Sequence, residues 1–305
     1  MAAEQVAFSP SPAGSGPIVV TGATGTVGRS VVDLLLAAGA PVRAAVRSSS
    51  ATEGPGALPV EVDRVLFDWQ DPATWDAAFA GARSALVVRP PQLSRPTTQM
   101  VPALVAARRA GVGQFVLISL QGAETNRVVP YAALEAWLRT SGVPWTFVRP
   151  SFFMQNLTGT HRAEIRDTDE VVVPAGGGAT AFVDTQDVAA VATAALLAPG
   201  RHAGRAWTPT GPEALTYDQV ATVLSAELGR QVRYRRPGLL RYVRHARASR
   251  MPWAMVAVTS AIYTVARLGR AADLTDDVRA VTGRAPADLR TFVHREREAW
   301  LPRTT

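Results

Sequence analysis

The sequence predicts an α/β fold: a doubly wound, parallel-sheet Rossmann domain with a smaller, mostly helical C-terminal domain. Three observations predict it. Short apolar strand candidates alternate with helical patterns through the first two-thirds of the chain. A glycine-rich turn joins the first strand to the first helix. After Pro150 the alternation loosens and helical patterns take over. Strands that are apolar on both faces belong to a parallel sheet covered by helices on both sides. Right-handed crossovers then make the sheet doubly wound.

The strand candidates are Ile18–Thr21, Val42–Val46, Val62–Phe67, Ser84–Val88, Gln114–Ser119 and Trp145–Val148. Helical patterns lie between them at Val27–Ala38, Pro72–Phe79, Gln99–Ala110 and Val129–Thr140, with Gly39, Gly111 and Gly142 as stops. Glu170–Val173, Thr180–Val183 and Gly204–Thr210 read as further strands and Asp187–Leu197 as a helix, and from Leu215 the chain reads as mostly helical. The expected organisation is a tail at 1–16 and a dinucleotide domain at 17–157, completed by about 180–210. Residues 158–179 and 211–305 are left for a substrate domain.

Composition excludes several chemistries. Among 305 residues there is no cysteine, so disulfides, thiolate nucleophiles and cysteine metal sites are absent. The four histidines show no metal-ligand spacing, so no metal site is expected. All 32 basic side chains are arginine, which removes Schiff-base and lysine acid–base chemistry. Ten of these arginines fall between Leu228 and Ala272, where there is no acid, and the other 22 face 25 acids. The chain is therefore not uniformly basic, and no nucleic-acid partner is expected. Residues 1–16 are rich in Ala, Ser, Pro and Gly and lack a signal pattern, so a disordered tail and a cytoplasmic protein are expected. The apolar run Met251–Ala266 is shorter than the roughly 20 residues a transmembrane helix needs.

The first turn reads Thr21-Gly22-Ala23-Thr24-Gly25-Thr26-Val27-Gly28, with glycines at i, i+3 and i+6. The first glycine allows the turn, the second a close pyrophosphate, and the third close packing of helix on strand. The helix N-terminus adds free N–H groups and a positive dipole end. Thr21, Gly22, Thr24, Gly25, Thr26, Val27 and Gly28 are accordingly cofactor-binding candidates. The second strand selects the cofactor. It ends in Arg47-Ser48-Ser49 where an NAD site carries a carboxylate for the ribose hydroxyl. Arg47, assisted by Ser48, suits a 2′-phosphate and hence NADP(H), with Arg43 as a weaker candidate. Asp68 after the third strand is placed to accept from adenine, although it and Asp71 are also potential helix caps. Trp69, Arg89, Pro90, Ser119, Pro150 and Phe152 are further cofactor candidates near strand ends.

These residues resemble the NmrA-like, atypical short-chain dehydrogenase/reductases. The matching stretches include Thr21–Gly28, Phe67-Asp68-Trp69 with Asp71-Pro72, Ser119 with Gly122-Ala123, and Arg149-Pro150 with Phe153-Met154-Gln155-Asn156. Phe182-Val183-Asp184 with Asp187-Val188-Ala189, and Leu274–Gly283, extend the likeness over nearly the whole chain. The resemblance implies an NADP(H)-binding Rossmann domain with a smaller domain closing over a substrate cleft. The family includes quinone and other small-molecule reductases as well as cofactor-binding regulators without catalysis.

Short-chain dehydrogenases commonly use a serine and a tyrosine followed four residues later by lysine, which lowers the phenol pKa. Here Ser119 and Tyr131 have suitable spacing, but position 135 is Glu135, which is expected to be solvated or a structural hydrogen-bond partner. Ser119 and Tyr131 remain the catalytic candidates, with Tyr131 as a neutral donor or a packing residue. A quinone or conjugated enone spreads the incoming charge over its oxygens and needs only a weak donor. Strand carboxyl ends point to Gln92, Gln121, Phe153, Met154, Asn156 and His161 as substrate-facing candidates. The arginine-rich segment reads as a solvated face, or as contact with a membrane surface, an acidic partner or an anionic substrate. The expectation is an NADPH-dependent reductase of a small, apolar, quinone-like carbonyl compound, acting as monomer or homodimer. A non-catalytic NADP(H) sensor and a bacterial biosynthetic reductase, cyclase or epimerase are the alternatives.

Overall fold

The computed structural model describes residues 16–48 and 57–301. The expected tail, except for Gly16, lies outside them, as does Ser49. The elements in order are β1 Ile18–Thr21, α1 Thr26–Ala37, β2 Val42–Val46, β3 Asp63–Leu66, α2 Trp75–Phe79, β4 Ser84–Val88, α3 Pro96–Gln99, α4 Val101–Arg109, β5 Phe115–Ile118, α5 Pro130–Thr140 and β6 Trp145–Val148. They continue with β7 Phe152–Phe153, α6 Arg162–Thr168, β8 Glu170–Val172, β9 Ala179–Val183, α7 Thr185–Leu197, α8 Pro199–His202 and β10 Arg205–Trp207. The last are β11 Ala214–Thr216, α9 Tyr217–Leu228, β12 Arg233–Arg235, α10 Leu239–Ala248, α11 Trp253–Arg267, α12 Asp277–Thr282 and α13 Leu289–Arg295.

One unit comprises Met1–Pro150 and Val188–Thr208. Its sheet has seven strands in the order β10-β6-β5-β4-β1-β2-β3, with every pairing parallel. β1, β4 and β5 carry apolar residues on both faces because helices cover both. The strand order reverses between β1 and β4, where open α/β sheets leave a crevice for ligands. The expected helix Gln99–Ala110 is two, α3 and α4, meeting at Met100. Pro102 sits in the first turn of α4, where its missing N–H leaves no bond unmade. Asp71 caps the short 3-10 turn Pro72–Thr74 by accepting from Ala73 N at 3.1 Å.

The other unit comprises Ser151–Asp187 and Pro209–Thr305. The expected boundary at 157 therefore falls at 150, and β9 is not part of the Rossmann sheet. β9 pairs with β7 and, antiparallel, with β11. The tail expected to be helical from Leu215 thus begins with a strand. β8 and β12 form a second, parallel pair, and α6 fills a stretch for which no element was expected. A capping box between Thr216 and Gln219 starts α9. The core gathers Met154, Leu157, Ile165, Phe182, Tyr217, Tyr263, Phe292 and Trp300. Trp300 is fully buried and donates its indole N–H to Leu157 O at 3.1 Å. Trp300→Ala should lower the unfolding free energy by ~3–5 kcal/mol, read from urea denaturation; an unchanged midpoint would remove Trp300 from this core.

Candidate functional site

β1 ends at Thr21 and the chain turns at Gly22, whose φ of +65° disfavours any side chain. Gly25 N donates to Gly22 O at 2.9 Å and closes the turn. A Cβ on Gly28 would lie 2.1 Å from the same Gly22 oxygen, so only glycine lets α1 start this close to β1. No side chain caps α1, and its first turn holds no acid. Gly22, Thr24, Gly25 and Thr26 are exposed, while Val27 anchors the helix in the core. Free N–H groups at an open, acid-free helix start suit a phosphate. Thr21 departs from expectation: its hydroxyl donates to Leu86 O at 2.8 Å and accepts from Val88 N at 2.9 Å. That side chain ties β1 to β4 and is not available to a ligand.

Arg47 is exposed directly after β2, and no described carboxylate pairs with it. Ser48 beside it is exposed too. Arg43 is corrected: its guanidinium bonds Asp63 Oδ2 at 2.8 Å and Ala80 O at 2.7 Å, so it is spent on the fold. Asp68 is exposed and accepts from Gln70 N at 2.8 Å in a local turn. Trp69 is buried edge-on against Phe67 at 4.8 Å, so its indole is core rather than cofactor contact.

Ser119, at the end of β5, is buried and donates to Glu135 Oε1 at 2.7 Å. Glu135, on α5, is 3 % exposed, which overturns the solvated reading. Arg149 clamps it from Nε at 2.9 Å and from a terminal nitrogen at 2.5 Å, and reaches Glu124 at 3.2 Å. The hydrogen bond to Glu135 raises the Arg149 pKa further, against the desolvation that would lower it. A serine has one proton to give. Here that proton goes to a carboxylate, so Ser119 does not donate to a substrate oxygen.

Tyr131 is half-buried in the first turn of α5. The Arg89 guanidinium lies 4.5 Å from its ring centroid, while Arg89 itself donates to Pro90 O, Pro91 O and Leu93 O at 3.1, 3.2 and 2.9 Å. No described residue bonds the Tyr131 hydroxyl. The cation over the ring is a feature that the sequence, with the partners 42 positions apart, offered no signal for. Gln92 is exposed, and the backbone N–H of Gln121 donates to Pro150 O at 3.0 Å.

In the second unit Phe152 is half-buried and edge-on to Phe182 at 5.6 Å. Phe153 and Asn156 also keep partial exposure, whereas Met154 is core. His161 is corrected: it is buried, with Nε2 2.6 Å from the Tyr263 hydroxyl and Nδ1 3.2 Å from Glu164. Glu164 also meets His245 Nε2 at 2.6 Å. Burial would raise Glu164, but its bonds to and the charges of the two histidines hold it below the usual carboxylate range. Burial pushes the Tyr263 phenol well above its usual value. The histidine thus serves a closed core network rather than a substrate.

A Rossmann unit with a glycine turn, an uncapped first helix and no acid after β2 defines a dinucleotide-binding protein. Residues 15–254 match the NmrA-like family, and the chain belongs to it. It is 38% identical over 283 residues to the NAD(P)H azoreductase of Xenophilus azovorans, covering 90% of this chain and 95% of that one. It is 36% identical over 296 residues to the (4-alkanoyl-5-oxo-2,5-dihydrofuran-3-yl)methyl phosphate reductase of Streptomyces griseus, covering 93% and 99%. The structure of Citrobacter sp. triphenylmethane reductase complexed with NADP(H) superposes with a TM-score of 0.79 at 25% identity, covering 92% and 99%.

Arg149→Met should leave the buried Glu135 carboxylate with only Ser119 and a longer contact to Arg139 at 3.7 Å, and cost up to ~3–5 kcal/mol of stability, read from urea denaturation. The pair Arg149→Met/Glu135→Leu should recover most of it. Equal losses in the single and double variants would contradict a buried ion pair.

Proposed function

We propose that the chain is an NADPH-dependent reductase of small, apolar, conjugated acceptors, among them quinone-like carbonyl compounds. One observation carries this reading: an open, acid-free helix start at Gly25–Gly28 accompanied by an exposed, carboxylate-free Arg47 after β2. The N–H groups of the glycine turn and α1 would hold the pyrophosphate, and Arg47 the 2′-phosphate. Fixed donors at an uncapped helix favour any dinucleotide, and Arg47 adds the preference for the phosphorylated one. When bound, the reduced nicotinamide supplies the hydride.

Tyr131 is the group we assign to the proton. Its hydroxyl is not engaged by a described residue, and the Arg89 guanidinium 4.5 Å from its ring stabilises charge as it develops on the phenol during transfer. No lysine exists to replace Arg89 in that role. A neutral phenol is a weak acid, so the fitting substrates are those that accept hydride without strong proton assistance. An azo bond and an oxo-dihydrofuran bearing a conjugated acyl group, named for the two relatives, are acceptors of that kind. Phe152 and Phe153 offer aromatic surface suited to a flat ring.

NADPH oxidation with quinone, azo and enone acceptors tests the reading. NADPH should bind at least tenfold more tightly than NADH, since a hydrogen bond to a charged group contributes ~1.5–3 kcal/mol. Arg47→Ala should abolish that preference while leaving NADH affinity unchanged, measured by calorimetric titration. Equal wild-type affinity for the two dinucleotides would sink the cofactor assignment, and absence of turnover across the panel would sink the reductase.

A further inference from the structure

Helix α11 is buried along one narrow stripe only, Val256, Tyr263 and Ala266. Its other faces are open and mostly apolar. Trp253 is 64% exposed, Leu268 65% and Val258 53%, and Met255, Ile262 and Val265 are exposed alongside them. No charged residue occurs from Trp253 to Ala266. Contiguous exposed apolar surface of this kind marks a contact site in a folded protein. The neighbouring helix α10, which packs on α11, begins with the exposed Leu239 and Leu240.

Exposed arginines flank α11 in sequence on both sides, and one of them reaches this surface. Of the ten between Leu228 and Ala272, Arg230, Arg235 and Arg236 pair with Asp169, Glu170 and Asp218 on other elements. Arg241, Arg244, Arg247, Arg250, Arg267 and Arg270 have no carboxylate partner among the described residues. Arg247 stacks on the Trp253 ring at 4.7 Å and brings its charge to the rim of the apolar face.

The occupant must suit both properties. A second copy meets the apolar face but not the charge: an isologous contact sets the same patch of one copy against that of the other, so the unpaired arginines would repel. Nucleic acid meets the charge but leaves the exposed aliphatic side chains Val258, Ile262, Val265 and Leu268 without a partner. A bilayer surface with anionic headgroups meets both. Acyl chains cover the apolar side chains, headgroups pair with the arginines, and Trp253 takes the boundary between them. α11 has 15 residues, about 22 Å at the usual helical rise, and no helix among the described residues is long and apolar enough to cross a membrane. It would lie in the plane of the interface.

We propose that α10 and α11 form a docking surface for an anionic lipid bilayer. The test is co-sedimentation of the full chain with phosphatidylcholine vesicles, with and without phosphatidylglycerol. The chain should pellet with the anionic vesicles at low salt and stay in solution with phosphatidylcholine alone. Val258→Glu/Ile262→Glu, on exposed positions, should weaken binding at least tenfold with an unchanged far-UV circular dichroism spectrum. Arg244→Gln/Arg250→Gln should weaken it roughly fivefold per arginine. No binding to anionic vesicles at low salt, or binding that Val258→Glu/Ile262→Glu leaves intact, would overturn the proposal. So would a dimer in sedimentation equilibrium that the same pair disperses, because it would give the face to a second copy. Polyglutamate binding as tight as vesicle binding would overturn it in favour of an acidic protein.

Discussion

The contact between Gly28 and the Gly22 carbonyl is the constraint from which the dinucleotide site follows. With 2.1 Å available for a Cβ, only a hydrogen fits, and α1 can begin directly against the carboxyl end of β1. That position puts an uncapped helix start beside the strand-order reversal between β1 and β4. The backbone supplies the phosphate donors, so their placement depends on the turn and not on flexible side chains. In the proposed function, Arg47 at the end of β2 would turn this general nucleotide site into one matched to a 2′-phosphate.

The polar residues behind that site divide sharply. Ser119, Glu135 and Arg149 satisfy one another in a buried cluster that joins the ends of β5 and β6 to α5. Removing Arg149 or Glu135 would leave a buried charge without its main partner, which is why such a cluster holds its geometry. Tyr131 stands apart, with a cation on its ring and a hydroxyl that no described residue engages. The proposed function therefore assigns binding and proton delivery to different residues. The same chain that positions a dinucleotide well is chemically modest, and this fits acceptors that are themselves reactive. A bilayer-docking face would bring such an enzyme to the phase in which apolar acceptors dissolve.

Much of this was legible in the sequence, for identifiable reasons. Val42–Val46, Ser84–Val88 and Trp145–Val148 are apolar runs bounded by turn residues, and they form strands with those same limits. The glycine spacing and the missing acid before Ser48 were readable because backbone sterics and charge act locally. β7, β11 and β12 were not expected: two or three residues carry no period, and they lack a run such as Val171-Val172-Val173, which marked the equally short β8. α6 has a single buried residue, Ile165, and so no apolar stripe to betray it. Side-chain partners distant in sequence were hidden too. His161 reads as a polar residue beside an aromatic run, but Tyr263, 102 residues on, draws it into the core. Arg43 reads as a possible phosphate ligand until β3 sets Asp63 beside it.

The central claim is that Ser119 belongs to the structural cluster and Tyr131 to the chemistry. Steady-state kinetics of Ser119→Ala against Tyr131→Phe, with NADPH and one conjugated acceptor, tests it most directly. Tyr131→Phe should lower kcat by about 10²-fold, the usual size of a lost general acid, while Ser119→Ala should keep kcat within about threefold. A 10²-fold loss in Ser119→Ala with Tyr131→Phe unaffected would contradict it.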